Sequence, residues 1–148
     1  TDMIKMFDED KVIIAPDLKV KDLQAKNMEL DEIIEYCLRS GIDGLVAGNT
    51  TRSRDGITSI SKEKIEEIGN GGMSGAPLHQ KNLELVKYVH TKSEGKLPII
   101  GVGGIMSPEQ AKAMLDAGAS LVEIYTGFIY EGPALIKNII KYLETAGK

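Results

Sequence analysis

The stretch Leu97-Pro98-Ile99-Ile100-Gly101-Val102-Gly103-Gly104-Ile105 decides the fold, together with Ala117-Gly118-Ala119-Ser120-Leu121-Val122-Glu123-Ile124-Tyr125-Thr126-Gly127. Each is a short apolar run ending in residues that packing alone does not explain. In the first, an apolar strand runs straight into Gly103 and Gly104 and then towards a helix. Without a Cβ, two glycines let backbone N–H groups approach a bulky anion, and the helix N-terminus that follows favours negative charge. The second run ends in Tyr125-Thr126-Gly127, a hydroxyl beside another bare backbone. Two consecutive strands ending this way match the phosphate grip that (β/α) barrels carry after their last two strands. A tight left-handed turn at Gly103-Gly104 is the competing reading.

Outward from these runs the chain divides into four strand–helix units. Val12-Ile13-Ile14-Ala15, stopped by Pro16-Asp17, reads as a strand buried on both faces. Ile33, Ile34, Cys37 and Leu38 recur at helical spacing until Gly41. Gly44-Leu45-Val46-Ala47 is the second strand and delivers Gly48-Asn49-Thr50-Thr51 to its C-terminal end. A long loop follows, with a short helical stretch near Lys62 to Ile68, and closes on Gly71-Gly72-Met73-Ser74-Gly75-Ala76-Pro77-Leu78. A third helix carries Leu83, Leu85, Val86 and Val89 and leads into the glycine-terminated third strand. Ser107-Pro108-Glu109 is a strong helix start, and the helix with Ala111, Met114 and Leu115 stops at Gly118. The fourth strand is expected over Leu121 to Tyr125. A last helix from Pro133 is expected to bury Leu135, Ile136, Ile139, Ile140 and Leu143. Strands alternating with helices make a parallel α/β sheet. The expected fold is therefore of TIM-barrel type: a single α/β unit over residues 1–148, about half of a (β/α)8 barrel, with no second domain.

Composition narrows the function classes. The 148 residues carry a net charge of −4, which argues against a nucleic-acid or anionic-membrane surface. No run approaches the ~20 apolar residues of a membrane span, so the chain itself reads as soluble. The single cysteine, Cys37, excludes an intrachain disulfide framework and sits on an apolar helical face as a core residue. The opening Thr1-Asp2-Met3 reads as a piece of something longer.

In any βα architecture the ligand face lies at the C-terminal ends of the strands. The candidates there are Pro16-Asp17, Asn49-Thr50-Thr51, Ser74-Gly75, Gly103-Gly104 and Tyr125-Thr126. Asn49 offers a donor and an acceptor to a planar ligand with carbonyl and N–H groups; equally, it is a turn asparagine satisfying its own backbone. Ser74 between glycines is either a site hydroxyl or a plain loop serine. His79 and His90 have no partners at metal spacing and read as surface or loop histidines, so no metal site is expected. Arg52 and Arg54 read as solvated loop charges rather than an anion clasp. No Gly-x-Ser-x-Gly elbow is present.

Taken in order, Ala15-Pro16-Asp17-Leu18, Gly41-Ile42-Asp43-Gly44-Leu45, Asn49 to Arg54, Gly71 to Leu78, Pro98 to Gly104 and Ala117 to Pro133 resemble the C-terminal half of class 2 (quinone-linked) dihydroorotate dehydrogenases. The resemblance runs from about Val12 to Leu143. It implies an FMN-containing barrel that oxidises dihydroorotate to orotate in pyrimidine synthesis and passes electrons to a membrane quinone. It also implies association with the mitochondrial or bacterial inner membrane. On this resemblance Gly103, Gly104, Tyr125 and Thr126 hold the FMN phosphate, Ser74 and Gly75 line the flavin, and Asn49 with Thr50 beside it binds orotate. The catalytic base, the quinone site and the membrane-docking helices are expected in an N-terminal half outside this sequence. That half, or a second copy of the chain, is the expected partner.

Two positions depart from the family pattern. Where the resemblance implies a lysine facing the flavin, this chain has Ile13, and losing one preorganised cation at a charged transition state costs about 10²- to 10³-fold. Lys11 lies two residues earlier. Where it implies a threonine before Asn-Thr-Thr, the chain has Gly48. These departures keep a second reading open, a non-catalytic half-barrel that binds phosphate or flavin without turnover. Restoring both residues is expected to strengthen flavin binding if the chain is an altered enzyme.

Overall fold

In the computed structural model of the chain, the described residues are 6–7, 12–14, 27–55 and 57–146, with side chains from Leu30 onward. The elements are β1 (Met6–Phe7), β2 (Val12–Ile14), α1 (Asn27–Ser40), β3 (Gly44–Ala47), α2 (Lys62–Ile68), α3 (His79–Lys92), β4 (Ile99–Val102), α4 (Pro108–Asp116), β5 (Leu121–Glu123), α5 (Thr126–Glu131) and α6 (Pro133–Ala146). A 3₁₀ turn, Ala76–Leu78, leads into α3. The sheet order is β1-β2-β3-β4-β5, with β2 to β5 parallel and β1 antiparallel to β2. Parallel neighbours follow chain order without reversal, which is the order of an arc of a barrel; a doubly wound sheet would reverse it. The four expected strands are all present. The Ala15-Pro16-Asp17-Leu18 segment, Lys11 and the side chain of Ile13 lie outside the described residues.

Right-handed crossovers in one direction put the helices on one face of the sheet. Burial alternates accordingly: Leu45 and Ala47 on β3 and Ile99 and Gly101 on β4 are buried, while Val46, Ile100 and Val102 are less so. The buried set packs against Ile34 and Cys37 of α1, Val86 and Val89 of α3, Met114 of α4 and Ile139 of α6. Gly101 has no room for more, since a Cβ would lie 3.3 Å from Ala119 and 3.4 Å from the Met114 sulfur. Burial pushes the Cys37 thiol pKa up, so this core thiol is kept protonated and unreactive. On the opposite face, register aligns Val46, Ile100 and Leu121, and Leu121 is 62% exposed. The side that a closed barrel would fill is open.

Local signals account for the helix starts. Ser107 Oγ accepts from the Gln110 N–H at 3.3 Å, with Pro108 at the first helical position. Outside the core, Asp31 of α1 accepts from Tyr88 (2.6 Å) and Lys92 (2.8 Å) of α3. Lys92 first, and Tyr88 second, hold the Asp31 carboxyl below its usual pKa, but the pair is part-exposed and solvent screens it, so it adds little to stability.

Two expectations need correction. The fourth strand ends at Glu123 rather than Tyr125, because its partner β4 ends at Val102 and Gly103 turns away with φ +97°. Tyr125 instead caps α5, which strand-like composition had concealed. On α6, Leu135 and Ile139 are buried, but Ile136 (43%) and Ile140 (53%) are exposed. The apolar stripe of α6 is wider than the surface that α4 and α5 offer it.

Candidate functional site

The C-terminal ends of β3, β4 and β5 and the turn before α3 surround an open cavity of about 220 Å³. Eight of the eleven candidates line it: Asn49 and Thr50 after β3, Ser74 and Gly75 before the 3₁₀ turn, Gly103 and Gly104 after β4, Tyr125 and Thr126 after β5; Thr51 does not, and Pro16 and Asp17 lie outside the described residues. Thr126 Oγ1 and Ser74 Oγ, 52 positions apart, are hydrogen-bonded at 2.9 Å and join two of these walls. Gly75, at φ +87°, sits where a Cβ would come 3.0 Å from the Thr126 methyl.

The two glycines after β4 make the tight left-handed turn. Gly103 (φ +97°) and Gly104 (φ +79°) adopt left-handed conformations that other residues rarely take. A Cβ on Gly104 would overlap the backbone N and Cα of His79, and one on Gly103 would overlap the Asn82 amide. The bare backbone thus lets the first turn of α3 abut the end of β4. That helix is 14 residues long, and its N-terminal partial positive charge lies directly behind the cavity wall.

Asn49 Oδ1 accepts from the Thr50 N–H at 2.7 Å, as a turn asparagine does, while the residue stands at the cavity rim. Thr51, behind it, is buried and pairs with Met73 through two backbone hydrogen bonds of 3.1 and 2.7 Å. Gly48 takes φ +137°, where a Cβ would overlap the Val102 carbonyl oxygen and lie 3.2 Å from Asn82 Nδ2. A threonine does not fit this backbone, so the expectation that one would simply add a flavin contact is corrected.

Three residues at the site were not singled out as functional. Asn82 is 1% exposed and donates from Nδ2 to the Val102 carbonyl at 2.9 Å, which fixes the end of β4. Its signal was present, since Asn82 shares the helical spacing of Leu85, Val86 and Val89. Asn82→Ala is expected to cost about 2–3 kcal/mol, read as a lower urea midpoint, because the Val102 carbonyl loses its partner. Glu123 lines the cavity in register with Val102. Its signal was a carboxylate in an otherwise apolar strand. Arg54, read as a solvated charge, in fact donates to backbone carbonyls on two loops.

Both histidines lie on α3, and neither lines the cavity. His79 opens α3 with Nδ1 buried and without a hydrogen-bond partner, and burial lowers its pKa, so the imidazole is neutral at neutral pH. His90 is exposed and packs against Gly95 and Gly118. Among the described residues no group of His, Cys, Asp or Glu is placed to hold a metal, and no helix is long and apolar enough to cross a membrane.

A family model described as dihydroorotate dehydrogenase matches residues 9–146. The chain belongs to the dihydroorotate dehydrogenase family. Among its relatives, the dihydroorotate dehydrogenase (quinone) of Salinispora arenicola is 46% identical over 126 residues, 85% of this chain and 35% of the relative. That of Christiangramia forsetii is 48% identical over 126 residues, again 85% of this chain and 34% of the relative. A ligand-free dihydroorotate dehydrogenase structure from Eimeria tenella superposes with a TM-score of 0.74 at 32% identity, covering 89% of this chain and 34% of that one. The same organism's enzyme in complex with ferulenol gives 0.72 at 34% identity, covering 82% and 32%. The chain spans about a third of the length of these dihydroorotate dehydrogenases, and its singly wound sheet is a portion of their barrel.

Proposed function

We propose that this chain supplies the flavin-phosphate grip and part of the orotate site of a quinone-linked dihydroorotate dehydrogenase. The observation that carries the reading is the cavity at the strand ends, where eight residues from four separate segments converge and Thr126 bonds to Ser74. The donor set fits FMN on one side. Ser74 and Thr126, with their paired hydroxyls, Tyr125 and the glycine backbone at 103–104 line the wall in front of a helix N-terminus, a suitable cradle for a dianionic phosphate. Ser74 and Gly75 border the flavin, and Asn49 with Thr50 at the rim orients the pyrimidine. FMN, when bound, supplies the hydride acceptor for dihydroorotate C6. The chain's own residues bind and orient; the base that takes the C5 proton belongs to residues beyond this sequence, as do the quinone site and any attachment to an inner membrane.

The open side of the arc is where the remainder of the barrel would dock. Among the described residues β5 pairs only with β4, and Leu121 on it is exposed, as are Ile129 of α5 and Ile136 and Ile140 of α6. The second reading, a half-barrel that binds flavin without turnover, draws on Ile13 and Gly48.

Anaerobic addition of dihydroorotate to the FMN-loaded protein, supplied with its N-terminal half, tests the proposal. Bleaching of the visible flavin band is expected. Flavin that stays bound and oxidised would favour the non-catalytic reading.

A further inference from the structure

Between Arg52 and Gly72 the chain makes an excursion whose helix, α2, buries no side chain, and none of the described residues of the excursion is buried. Its two ends carry the site residues Asn49-Thr50 and Ser74-Gly75. What holds those ends together is polar. Thr51 and Met73 exchange two backbone hydrogen bonds, and a Cβ on Gly72 would overlap Thr50 Oγ1. Over this junction lies the Arg54 guanidinium. Nη1 donates to the Thr51 carbonyl at 3.1 Å, and Nη2 donates to the Gly69 carbonyl at 3.4 Å and to that of Gly71.

We propose that Arg54 is a positioning residue that sets the separation between the substrate side of the cavity, Asn49-Thr50, and its cofactor side, Ser74-Gly75. Its place in catalysis rests on the dihydroorotate dehydrogenase reading; its clamping of the two loops does not. The guanidinium suits the task because its donors are fixed in one plane and reach carbonyls on both loops at once, which a lysine ammonium on a flexible stem does not reproduce. Arg54 is not among the cavity-lining residues, so it acts through the loops rather than on a ligand.

Arg54→Ala and Arg54→Lys are compared by amide hydrogen exchange without ligand, and by FMN and orotate titrations. Loss of the clamp is expected to speed exchange at Thr51 and Met73 by about tenfold or more, while Val89 and Met114 in the core keep their protection. Orotate Kd on the flavin-loaded protein is expected to rise about tenfold, with FMN Kd changing less than about threefold, because the phosphate side is built on β4 and β5. Ethylguanidinium is expected to restore part of the orotate affinity to Arg54→Ala. Wild-type exchange at Thr51 and Met73 in Arg54→Ala overturns the proposal. So does an equal loss of both ligands, or a core that loses protection together with the loops. Should alanine prevent folding, Arg54→Lys supplies the same comparison. If the wild type binds neither ligand, the flavin and orotate roles proposed for this cavity fail, and the exchange result alone decides the clamp.

Discussion

Gly104→Ala is expected to destabilise the protein by about 3 kcal/mol or more. Holding an alanine at φ +79° costs about 1–2 kcal/mol, and forcing a methyl into a packed site adds about 1–3 kcal/mol. The obstruction is the backbone N and Cα of His79, which cannot swing aside as the end of a side chain would. Relief would require moving the first turn of α3 away from β4, and with it the cavity wall. Urea unfolding checks this, with Gly41→Ala as the control. Gly41 also has positive φ (+67°), but nothing lies within 4 Å of its Cβ position, so only the conformational cost of about 1–2 kcal/mol should appear. Equal losses in the two variants would show that α3 does not press on the turn as described.

Gly48→Thr is the second large effect, and its sign is opposite to the one the family resemblance leads one to expect. A threonine at this position looks like a restored flavin contact when only the order of residues is considered. At φ +137°, however, its Cβ would overlap the Val102 carbonyl oxygen, the acceptor that Asn82 uses to hold the end of β4. The substitution therefore strains the backbone, disturbs a buried hydrogen bond and displaces Gly103 in a single step. A loss of about 3 kcal/mol or more is expected, with weaker FMN binding, read from thermal melts and an FMN titration. Tighter FMN binding at unchanged stability would mean that the strand turns differently at residue 48.

The two glycine positions also show which parts of the site were legible in the sequence. The strand–helix alternation and the small residues at strand ends located the cavity, because both reflect local rules: apolar runs form buried strands, and C-terminal strand ends face one side. What depends on three-dimensional partners was less visible. Asn82 carried a helical-spacing signal, but only its proximity to the Val102 carbonyl shows what a buried amide does there. Arg54 looks like any loop charge until Gly69 and Gly71, 15 and 17 positions later, return beneath it. The exposure of Ile136 and Ile140 was hidden for the opposite reason. Periodicity marks a face as apolar but does not say whether the surface that covers it belongs to the same segment of chain.

The two-residue strand β1 and the short helix α5 escaped for want of length, since neither holds a full period of any pattern. The tight turn at Gly103-Gly104 and the phosphate-grip reading are compatible. The left-handed backbone that admits α3 also brings that helix's N-terminus behind the wall, where it favours an anion.

The central claim is that the wall formed by Gly103, Gly104, Tyr125 and Thr126 is a phosphate grip. Equilibrium binding of FMN and of riboflavin to the same purified chain tests it most directly, because the two ligands differ only by the phosphate. FMN should bind about 100-fold more tightly, equivalent to about 2.7 kcal/mol, and Thr126→Val should remove much of that difference while leaving riboflavin affinity nearly unchanged. Equal affinity for the two ligands, or a preference for riboflavin, would contradict the account.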